Sequence, residues 1–271
     1  MQRRQSTNIK GCDVSHWQGE VDWQKVKLGG VRFVYIKATE GTTFIDPLFE
    51  TNVEEAKKAG LYVGAYHFAR FGSKQEAISE ARHFFSATKP YTLNLPHVLD
   101  LETDQGLDAK SLSLNAFLFL ETLQTLTHVK PMLYSSTQFI KAHLTASLKD
   151  YPLWIAHYGR VQPGENDIWD KWTVFQYTNK GELSGIKGSV DLNEWVAADF
   201  HRLTSGDKRK KPTVTLPQNK EVTLSRAYKI KKGDTFWNLE AHNGWTHGKL
   251  QSLNPGVDPR RLSIGQTIKI P

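Results

Sequence analysis

Eight short runs rich in β-branched and aromatic residues recur through the first 203 residues, and they constrain the fold more than any other feature. Each run is six to nine residues long, the length of a buried strand. Helical patterns separate the early runs, and this alternation predicts β/α units with a parallel sheet. In chain order the runs are "IKGCDVS", "VRFVYIKA", "LYVGAYHFA", "HVLDLE", "PMLYSS", "PLWIAHY", "TVFQYT" and "SVDLNEW".

The helical patterns are dense in the first half of this region and thin out after "PLWIAHY". In "DPLFETNVEEAKKAG" we expect Asp46 and Pro47 to open a helix and Gly60 to end it. The segments "SKQEAISEARHFFSATK" and "KSLSLNAFLFLETLQTLT" predict two more helices. The sequence therefore predicts an α/β fold, an eight-stranded β/α barrel with reduced outer helices in its second half.

Carboxylates stand near the ends of three of these runs. Asp100 and Glu102 are two positions apart, so a strand would place both on one face, roughly 6–7 Å from each other. Asp13 closes the first run, and Asp191 lies in the last one. Because β/α barrels gather their chemistry at one end of the strands, we expect the four carboxylates to share one pocket.

Polar and aromatic side chains accompany these acids at the strand ends. A glycosidic bond breaks when one acid protonates the leaving oxygen and an anion supports the oxocarbenium-like centre. Neighbouring carboxylates raise each other's pKa, which keeps one of them protonated. The combination of acids and aromatic rings therefore indicates sugar cleavage. The accompanying residues are Lys37, Tyr66, Tyr134, Trp154 and Gln176.

Two other interpretations of the acids stay open at this level. Carboxylates at strand ends also cap helices or turns. Asp, Glu and His could instead bind a divalent metal, but no histidine pair has a metal-ligand spacing, so we expect neither a metal nor another cofactor. His67 and His157 are equally compatible with structural hydrogen bonding and with ligation.

The positive charge of the chain is confined to its C-terminal quarter. Residues 204–271 hold 13 lysines and arginines against 5 acids, a net charge of +8, whereas residues 1–203 have a net charge of −1. The stretch 204–226 is polar, basic and broken by Pro212 and Pro217, which predicts a linker. Such charge suggests an anionic partner, either nucleic acid, a membrane surface or an acidic cell wall.

The motifs "KGCDVSHWQGEVDW", "VYIKATEG", "VGAYHFAR", "VLDLE", "LYSS", "PLWIAHY", "FQYT" and "VDLNEW" together resemble glycoside hydrolase family 25. The resemblance covers about residues 8–200, with the motifs in the family's order. It implies a lysozyme that cleaves the β-1,4 bond between N-acetylmuramic acid and N-acetylglucosamine in peptidoglycan. It also implies a barrel with fewer outer helices than usual.

The resemblance assigns roles to individual residues. Glu102 matches the general acid, and Asp100 matches a partner that supports the reacting centre or orients the substrate's 2-acetamido group. Asp13 and Asp191 match the family's other pocket acids. The stereochemical outcome that we favour is acetamido-assisted retention. Lining of the substrate groove is implied for Lys37, Tyr66, Tyr134, Trp154 and Gln176.

Residues 227–271 predict a small βααβ unit, with "AYKIKKG" and "GQTIKIP" as its strands. The motifs "YKIKKGDTFWNL", "LQSLNP" and "LSIGQTIKIP" resemble a LysM domain. This resemblance implies binding to glycans that contain N-acetylglucosamine, and a basic nucleic-acid module is the minor alternative. The pair Phe236-Trp237 departs from the leucine and polar residue common there. The implied wall-binding residues are Gly233, Asp234, Thr235, Phe236, Asn254 and Pro255.

These features predict a barrel over 1–203, a linker over 204–226 and a wall-binding domain over 227–271. The single cysteine, Cys12, excludes an internal disulfide. No stretch has the apolar length of a secretory signal or a membrane span.

We therefore expect synthesis in the host cytoplasm without a signal peptide and action on the bacterial wall after release, as in a phage endolysin. A prophage-encoded or exported bacterial autolysin is the alternative. The expected partner is peptidoglycan, with no nucleic acid, membrane insertion or obligate protein partner. A chitinase-like hydrolase and a non-catalytic wall-binding protein are rival functions.

Overall fold

The computed structural model describes residues 1–204 and 226–270, the latter without 232, 244, 246, 247 and 260. The chain divides into two compact units, Met1–Lys208 and Arg209–Pro271. Most of the predicted linker, residues 205–225, lies outside the described residues. Within the described part of the chain, no helix has the length and apolar character needed to cross a membrane.

The first unit is built around a nine-stranded sheet, and eight of its strands close into a barrel because β1 pairs with both β2 and β9. The short β3 pairs only with β2, at the barrel's edge. The predicted eight-stranded barrel is therefore confirmed. The strands are β1 (Ile9–Val14), β2 (Phe33–Glu40), β3 (Phe44–Ile45), β4 (Tyr62–Phe68), β5 (Val98–Asp100), β6 (Met132–Ser136), β7 (Leu153–Ala156), β8 (Val174–Gly181) and β9 (Val190–Trp195).

The direction of the last strand distinguishes this barrel from an all-parallel one. Neighbouring barrel strands from β1 through β8 pair in parallel. Strand β9 runs antiparallel to both β8 and β1. The beginning of β9 therefore lies at the same end of the barrel as the C-terminal ends of the other strands.

Helices cover the first half of the barrel more fully than the second. Residues 157–173 and 182–189, which the structure describes throughout, connect β7, β8 and β9 without a helix, as the sequence predicts. All three predicted early helices are present as α2, α3 and α4. The helices are α1 (Trp23–Leu28), α2 (Phe49–Lys58), α3 (Lys74–Thr88), α4 (Ala109–Thr127), α5 (Thr137–His143) and α6 (Ala197–Thr204).

The start of α2 differs from the prediction. The helix begins at Phe49, and no side chain caps it. Asp46 instead accepts a hydrogen bond from the backbone N–H of Leu48 at 3.0 Å, in the turn before the helix. The predicted stop is confirmed, because Gly60 directly follows the helix cap with a φ of +80°, a conformation that glycine adopts without strain.

Side chains alternate between the inside and outside of the barrel, as the two-residue period of a strand requires. The inner set includes Phe33, Tyr35 and Trp154, which are buried in one aromatic cluster. A Cβ atom on Gly64 would lie 2.2 Å from the Tyr35 ring, so glycine makes room for that ring. Cys12 belongs to the separate outer core and is fully buried. Because these large rings fill the barrel interior near the N-terminal ends of the parallel strands, a cavity can lie only toward the C-terminal ends of those strands.

The C-terminal unit has the predicted βααβ order: β10 (Arg226–Lys229), α7 (Phe236–Asn243), α8 (Lys249–Leu253) and β11 (Thr267–Ile270). Strands β10 and β11 pair antiparallel. A small apolar cluster joins the helices to this hairpin, and it contains Ile230, Phe236, Leu239, Leu250 and Ile268. The unit therefore has a hydrophobic core of its own.

Candidate active site

An open cavity of about 340 Å³ lies at the end of the barrel formed by the C-terminal ends of the parallel strands. This size is typical of a ligand-binding pocket. All nine candidate residues predicted for the barrel line it, although they come from eight different strand regions. They are Asp13, Lys37, Tyr66, Asp100, Glu102, Tyr134, Trp154, Gln176 and Asp191.

The antiparallel direction of β9 accounts for the position of Asp191. This residue is the second of its strand, so a parallel strand would place it far from the other acids. In the antiparallel register Asp191 lies directly opposite Asp13, which is near the end of β1. The two side chains are hydrogen-bonded to each other, so they form one carboxyl pair.

A network of amide groups holds Asp13 in place. Asn193 and Gln176 each donate an N–H to Oδ2 of Asp13, at 2.7 and 2.9 Å. Both amides are buried. Because two donors already occupy this oxygen, the remaining hydrogen-bonding capacity of Asp13 is directed toward Asp191.

Aromatic side chains in turn position these two amides. The hydroxyls of Tyr134 and Tyr158 both donate to Oε1 of Gln176 at 2.8 Å. The indole N–H of Trp154 donates to Oδ1 of Asn193 at 2.9 Å. Since Trp154 is only 2% exposed, it lines the cavity as a support for Asn193. Its predicted contact with substrate stays a prediction.

Asp100 and Glu102 form the second carboxyl pair. Strand β5 ends at Asp100, so Glu102 lies two residues further, beyond the strand, yet both line the cavity. Asp100 is buried, and its Oδ1 atom has no hydrogen-bond partner. Glu102 is exposed to the open side of the cavity. This pair thus keeps polar atoms available for a ligand.

All four carboxyl groups have raised pKa values. Burial is the main cause for Asp13, and the charge of Asp191 adds to it. Burial and the charge of Glu102 likewise raise the pKa of Asp100. The pKa of Asp191 is raised to about 6 by burial, with a further contribution from the charge of Glu102. Protein atoms around Glu102 raise its pKa by desolvation, while the Tyr134 hydroxyl and the charge of Lys37 oppose the rise.

The two pairs therefore release their protons over a wide pH range, because groups this close titrate as pairs. Each pair therefore keeps its protons to a higher pH than isolated carboxyl groups would. A site of this kind contains both a proton donor and an anion, which is what acid-assisted bond cleavage requires.

Lys37 supplies a positive charge at the wall of the cavity. Its Nζ atom lies 2.6 Å from Oε2 of Glu40, and the guanidinium of Arg70 lies 2.7 Å from the other oxygen of Glu40. Lys37 lowers the pKa of both Asp100 and Glu102, so it partly offsets their mutual repulsion. Tyr66 lies nearby, and burial together with the charges of Asp13 and Asp100 raises its pKa.

The two histidines whose role the sequence does not decide both make hydrogen bonds within the protein. The ring of His67 lies 2.9 Å from Glu80 and 2.7 Å from Thr39, in the buried interior. The ring of His157 lies 3.2 Å from the Thr137 hydroxyl. Neither ring lines the cavity, so the structural interpretation is favoured for both. Among the described residues, no cluster of His, Cys, Asp and Glu could hold a metal ion.

Several residues of the site, in the cavity wall or behind it, were not identified from the sequence. Asn193 and Tyr158 belong to the network on Asp13, and Ser15 and Trp17 lie at the rim. Asn193 lies two positions after Asp191, so the same-face rule that paired Asp100 with Glu102 could have found it. Tyr158 is the last residue of the run "PLWIAHY", two positions beyond the end of β7, and no comparable pattern marks it.

The six residues proposed to bind the wall divide into two groups. Gly233, Thr235 and Pro255 are exposed on the C-terminal unit. Phe236 is only 4% exposed in the hydrophobic core of that unit. Its neighbour Trp237 is 39% exposed instead, and the wall-binding role of Phe236 stays a prediction.

Asn254 and Asp234 make hydrogen bonds to other residues of the C-terminal unit. Asn254 is 8% exposed, and its amide donates to the carbonyls of Leu250 and Lys269 at 2.8 and 2.9 Å. Its Oδ1 atom accepts the N–H of Lys269 at 2.8 Å, so Asn254 joins the end of α8 to β11, and its wall-binding role stays a prediction. Asp234 accepts the Tyr228 hydroxyl at 2.9 Å and the Lys231 N–H at 2.7 Å, which orders the turn before α7.

Comparison with known proteins gives two domain matches. Residues 12–186 match glycosyl hydrolases family 25, and residues 228–271 match the LysM domain. The autolytic lysozyme of Clostridium acetobutylicum is 38% identical over 187 residues, which are 69% of this chain and 56% of that protein.

Two solved structures resemble the barrel unit. A bacterial lysozyme from Streptomyces coelicolor superposes with a TM-score of 0.68 and 32% identity, covering 74% of this chain and 98% of that one. The CTP1L endolysin superposes with a TM-score of 0.67 and 33% identity, covering 73% of this chain and 70% of that one. The similarity is thus strongest over the unit that contains the cavity.

Proposed function

The chain belongs to family 25 of the glycosyl hydrolases, and from this premise we propose that it is a lysozyme that cleaves the β-1,4 bond between N-acetylmuramic acid and N-acetylglucosamine in bacterial peptidoglycan. One observation carries the proposal. Two carboxyl pairs with raised pKa values meet in a single open cavity, and one buried carboxylate oxygen there has no partner within the protein.

Glu102 acts as the general acid in this proposal. It lies on the open side of the cavity, where a glycosidic oxygen can approach, and its pKa is raised. Donation of its proton to the leaving oxygen lets the bond to the anomeric carbon break. The resulting carboxylate then takes a proton from the attacking water.

Asp100 acts on the substrate's acetamido group. Its Oδ1 atom is a buried acceptor without a donor, and the N–H of a 2-acetamido group would supply one. This hydrogen bond would orient the acetamido oxygen for attack on the anomeric carbon. The acetamido oxygen bonds to the anomeric carbon as the leaving oxygen departs, and the water then displaces the acetamido oxygen from that carbon. These two inversions give retention of configuration, an exception to the two-carboxylate scheme.

Asp13 and Asp191 stabilise the positive charge that develops on the sugar. Burial and their mutual hydrogen bond raise the pKa values of both groups, so we propose that the pair shares one proton during the reaction. The pair therefore contributes one negative charge in a fixed position. Preorganised charge of this kind acts without rearranging during the reaction.

The test of the activity is a digestion of purified peptidoglycan. After digestion, the new reducing ends are reduced with borohydride and identified by mass spectrometry. Reduced muramic acid supports the proposed lysozyme, whereas reduced glucosamine indicates a glucosaminidase. Cleavage of chitin oligomers at an equal rate would favour a chitinase, and the absence of new ends would favour a wall-binding protein.

The C-terminal unit anchors the enzyme to the wall in our proposal. The match to the LysM domain supports this role, and the net charge of +8 over residues 204–271 favours an acidic wall. Tethering raises the local concentration of the enzyme without adding catalytic contacts.

Deletion of residues 204–271 tests the anchor, because the whole cavity lies in the other unit. We expect the deletion to weaken lysis of intact walls and to spare cleavage of soluble glycan fragments. As the salt concentration rises, lysis by the full chain should also fall more steeply than lysis by the truncated form, since salt screens the positive charge of residues 204–271. Equal losses on both substrates would instead make the C-terminal unit part of the catalytic fold.

The biological setting that we propose is that of a phage endolysin, made in the host cytoplasm and acting after the membrane is breached. Similarity to the CTP1L endolysin supports this setting. Expression in a susceptible bacterium should leave the cells intact until chloroform or a pore-forming agent opens the membrane. Lysis without such treatment would favour an exported autolysin.

A further inference from the structure

Trp17 is the most exposed large aromatic side chain among the described residues, at 80%, and it lines the rim of the catalytic cavity. An exposed indole leaves a large apolar surface in water, which is unfavourable unless something covers it. Trp17 takes no part in the networks around the four carboxyl groups. Its exposure therefore needs a separate explanation.

The backbone that carries Trp17 is well ordered by local hydrogen bonds. The residue sits in a short 3-10 turn, His16–Gln18, and the Ser15 hydroxyl accepts the Trp17 N–H at 3.3 Å. In return, Gln18 accepts the Ser15 N–H at 2.9 Å. Gly19 ends the turn with a φ of +62°. This reciprocal capping fixes the direction in which the turn presents the indole.

A second set of contacts fixes the ring next to it. The ring of His16 packs against Trp17 with centroids 4.7 Å apart. Oδ2 of Asp46 lies 2.7 Å from Nδ1 of His16 and accepts the His16 N–H at 3.0 Å. The ring of Phe44 also lies near His16, with centroids 5.9 Å apart. The carboxyl group that was expected to open a helix therefore braces the ring behind Trp17.

We propose that Trp17 is a stacking platform for a sugar ring of the glycan strand, at a position outside the two sugars whose bond is cleaved. The inference rests on the proposed function and extends it to substrate length. Its ligand is an N-acetylhexosamine in a β-1,4-linked chain, whose apolar ring face would cover the indole. His16 and Asp46 act as positioning residues.

The surroundings of Trp17 favour a sugar over a protein partner. Protein interfaces present broad apolar patches. Of the residues from this chain segment that line the cavity with Trp17, Asp13, Ser15 and Gln18 are polar, and the one apolar residue, Val14, is buried. A single fixed aromatic ring that leads into a carboxyl-lined cavity suits a ligand with one apolar face and many hydroxyls.

A platform of this kind predicts dependence on chain length. A long glycan strand reaches Trp17 while its scissile bond lies at Glu102, whereas the shortest cleavable oligosaccharide does not. Trp17→Ala should therefore raise KM for long strands by about tenfold, the effect of losing one well-packed aromatic contact. The same variant should leave kcat, and all parameters for the shortest substrate, unchanged.

The experiment measures kcat and KM on soluble glycan strands of defined length for the full chain and its variants. Trp17→Phe should restore part of the affinity, and His16→Ala should lose part of it. Leu28→Ala is the matched control, because Leu28 is 86% exposed but does not line the cavity. Thermal unfolding of each variant verifies that the barrel is intact.

An unchanged KM for long strands in Trp17→Ala would overturn the inference, as would an equal loss on long and short substrates. A change in self-association instead of KM would assign the indole to a protein interface. In each case the wild-type enzyme still cleaves peptidoglycan. Failure of the wild type to cleave any glycan would refute the proposed function itself.

Discussion

The two carboxyl pairs of the cavity differ in how many hydrogen-bond donors their oxygens have within the protein. Oδ2 of Asp13 accepts two buried amide donors, and the carboxyl group of Asp191 is hydrogen-bonded to the same residue. Oδ1 of Asp100, by contrast, has no partner, and Glu102 is open to the cavity. Both pairs have raised pKa values, so their electrostatics alone do not separate them.

This difference indicates a division of roles. A carboxyl group held by several donors has a fixed position and a fixed charge, which suits electrostatic support. A buried acceptor without a donor is costly for the folded protein, and a substrate group can supply what is missing. The Asp13 pair should therefore contribute both to stability and to the field in the cavity, while the Asp100 pair should contribute to chemistry alone.

The largest expected effect is that of Glu102→Gln. Glutamine keeps the shape of the side chain but cannot donate the proton, so kcat should fall by about 10²–10⁴-fold. Release of reducing ends from peptidoglycan measures the loss, and Glu20→Gln, an exposed acid outside the cavity, is the control. Turnover close to that of the wild type would remove Glu102 from the acid role.

Asp100→Asn should reduce kcat strongly and also change its pH dependence. Loss of the neighbouring negative charge lowers the pKa of Glu102. A general acid works only while protonated, so activity declines as the pH rises through its pKa. The alkaline limb of the residual pH–rate profile should therefore move to lower pH. Movement to higher pH would show that the two carboxyls are not coupled in this way.

The stability of Asp100→Asn also tests the difference between the two carboxyl pairs. Asp100 is buried beside like charges, so its replacement by asparagine should not lower the free energy of unfolding. Urea denaturation at neutral pH gives this quantity. A clear loss of stability would mean that the Asp100 side chain supports the fold.

Asn193→Ala should have the opposite profile. The variant removes the acceptor of the Trp154 N–H and one of the two amide donors to Asp13, both in a buried site. Each buried polar group left without a partner lowers the free energy of unfolding by about 1–3 kcal/mol. The loss of kcat should be smaller than in Glu102→Gln. Asn179→Ala is the control, since Asn179 lines the same cavity but is exposed. Equal urea midpoints for the two variants would contradict a structural role for the network.

The smallest effect is expected for Tyr158→Phe. Gln176 would retain its second hydroxyl donor, Tyr134, and Tyr158 is 44% exposed, so water can replace it. We expect a change in kcat/KM of about twofold or less, because the acceptor on Gln176 keeps one donor and the lost hydrogen bond is only partly buried. A loss as large as that of Asp100→Asn would mean that the Tyr158 hydroxyl contacts the substrate.

Much of the fold follows from local patterns. The two-residue period of the eight runs places Asp100 and Tyr134 in the cavity, because alternation along a strand decides which side chains face inward. The early helices and the stop at Gly60 follow from equally local signals. The acids near the strand ends were identifiable for the same reason.

Local patterns do not decide which distant groups become partners. The sequence gives no sign that β9 runs antiparallel, and that direction brings Asp191 beside Asp13. Nor does it show that Asp46 binds His16 instead of capping a helix. In the C-terminal unit, the burial of Phe236 and the bonds of Asn254 also depend on packing.

By itself, the sequence determined the strands, the early helices and the identity of the four acids, since these depend on residues close together in the chain. Only the tertiary structure decided which acids are saturated with hydrogen bonds and which stay open. Asp13 and Asn193 are 180 positions apart, and Trp17 belongs to the rim only because the barrel closes. Hydrogen bonds across such separations depend on strand pairing and direction, which no local period encodes.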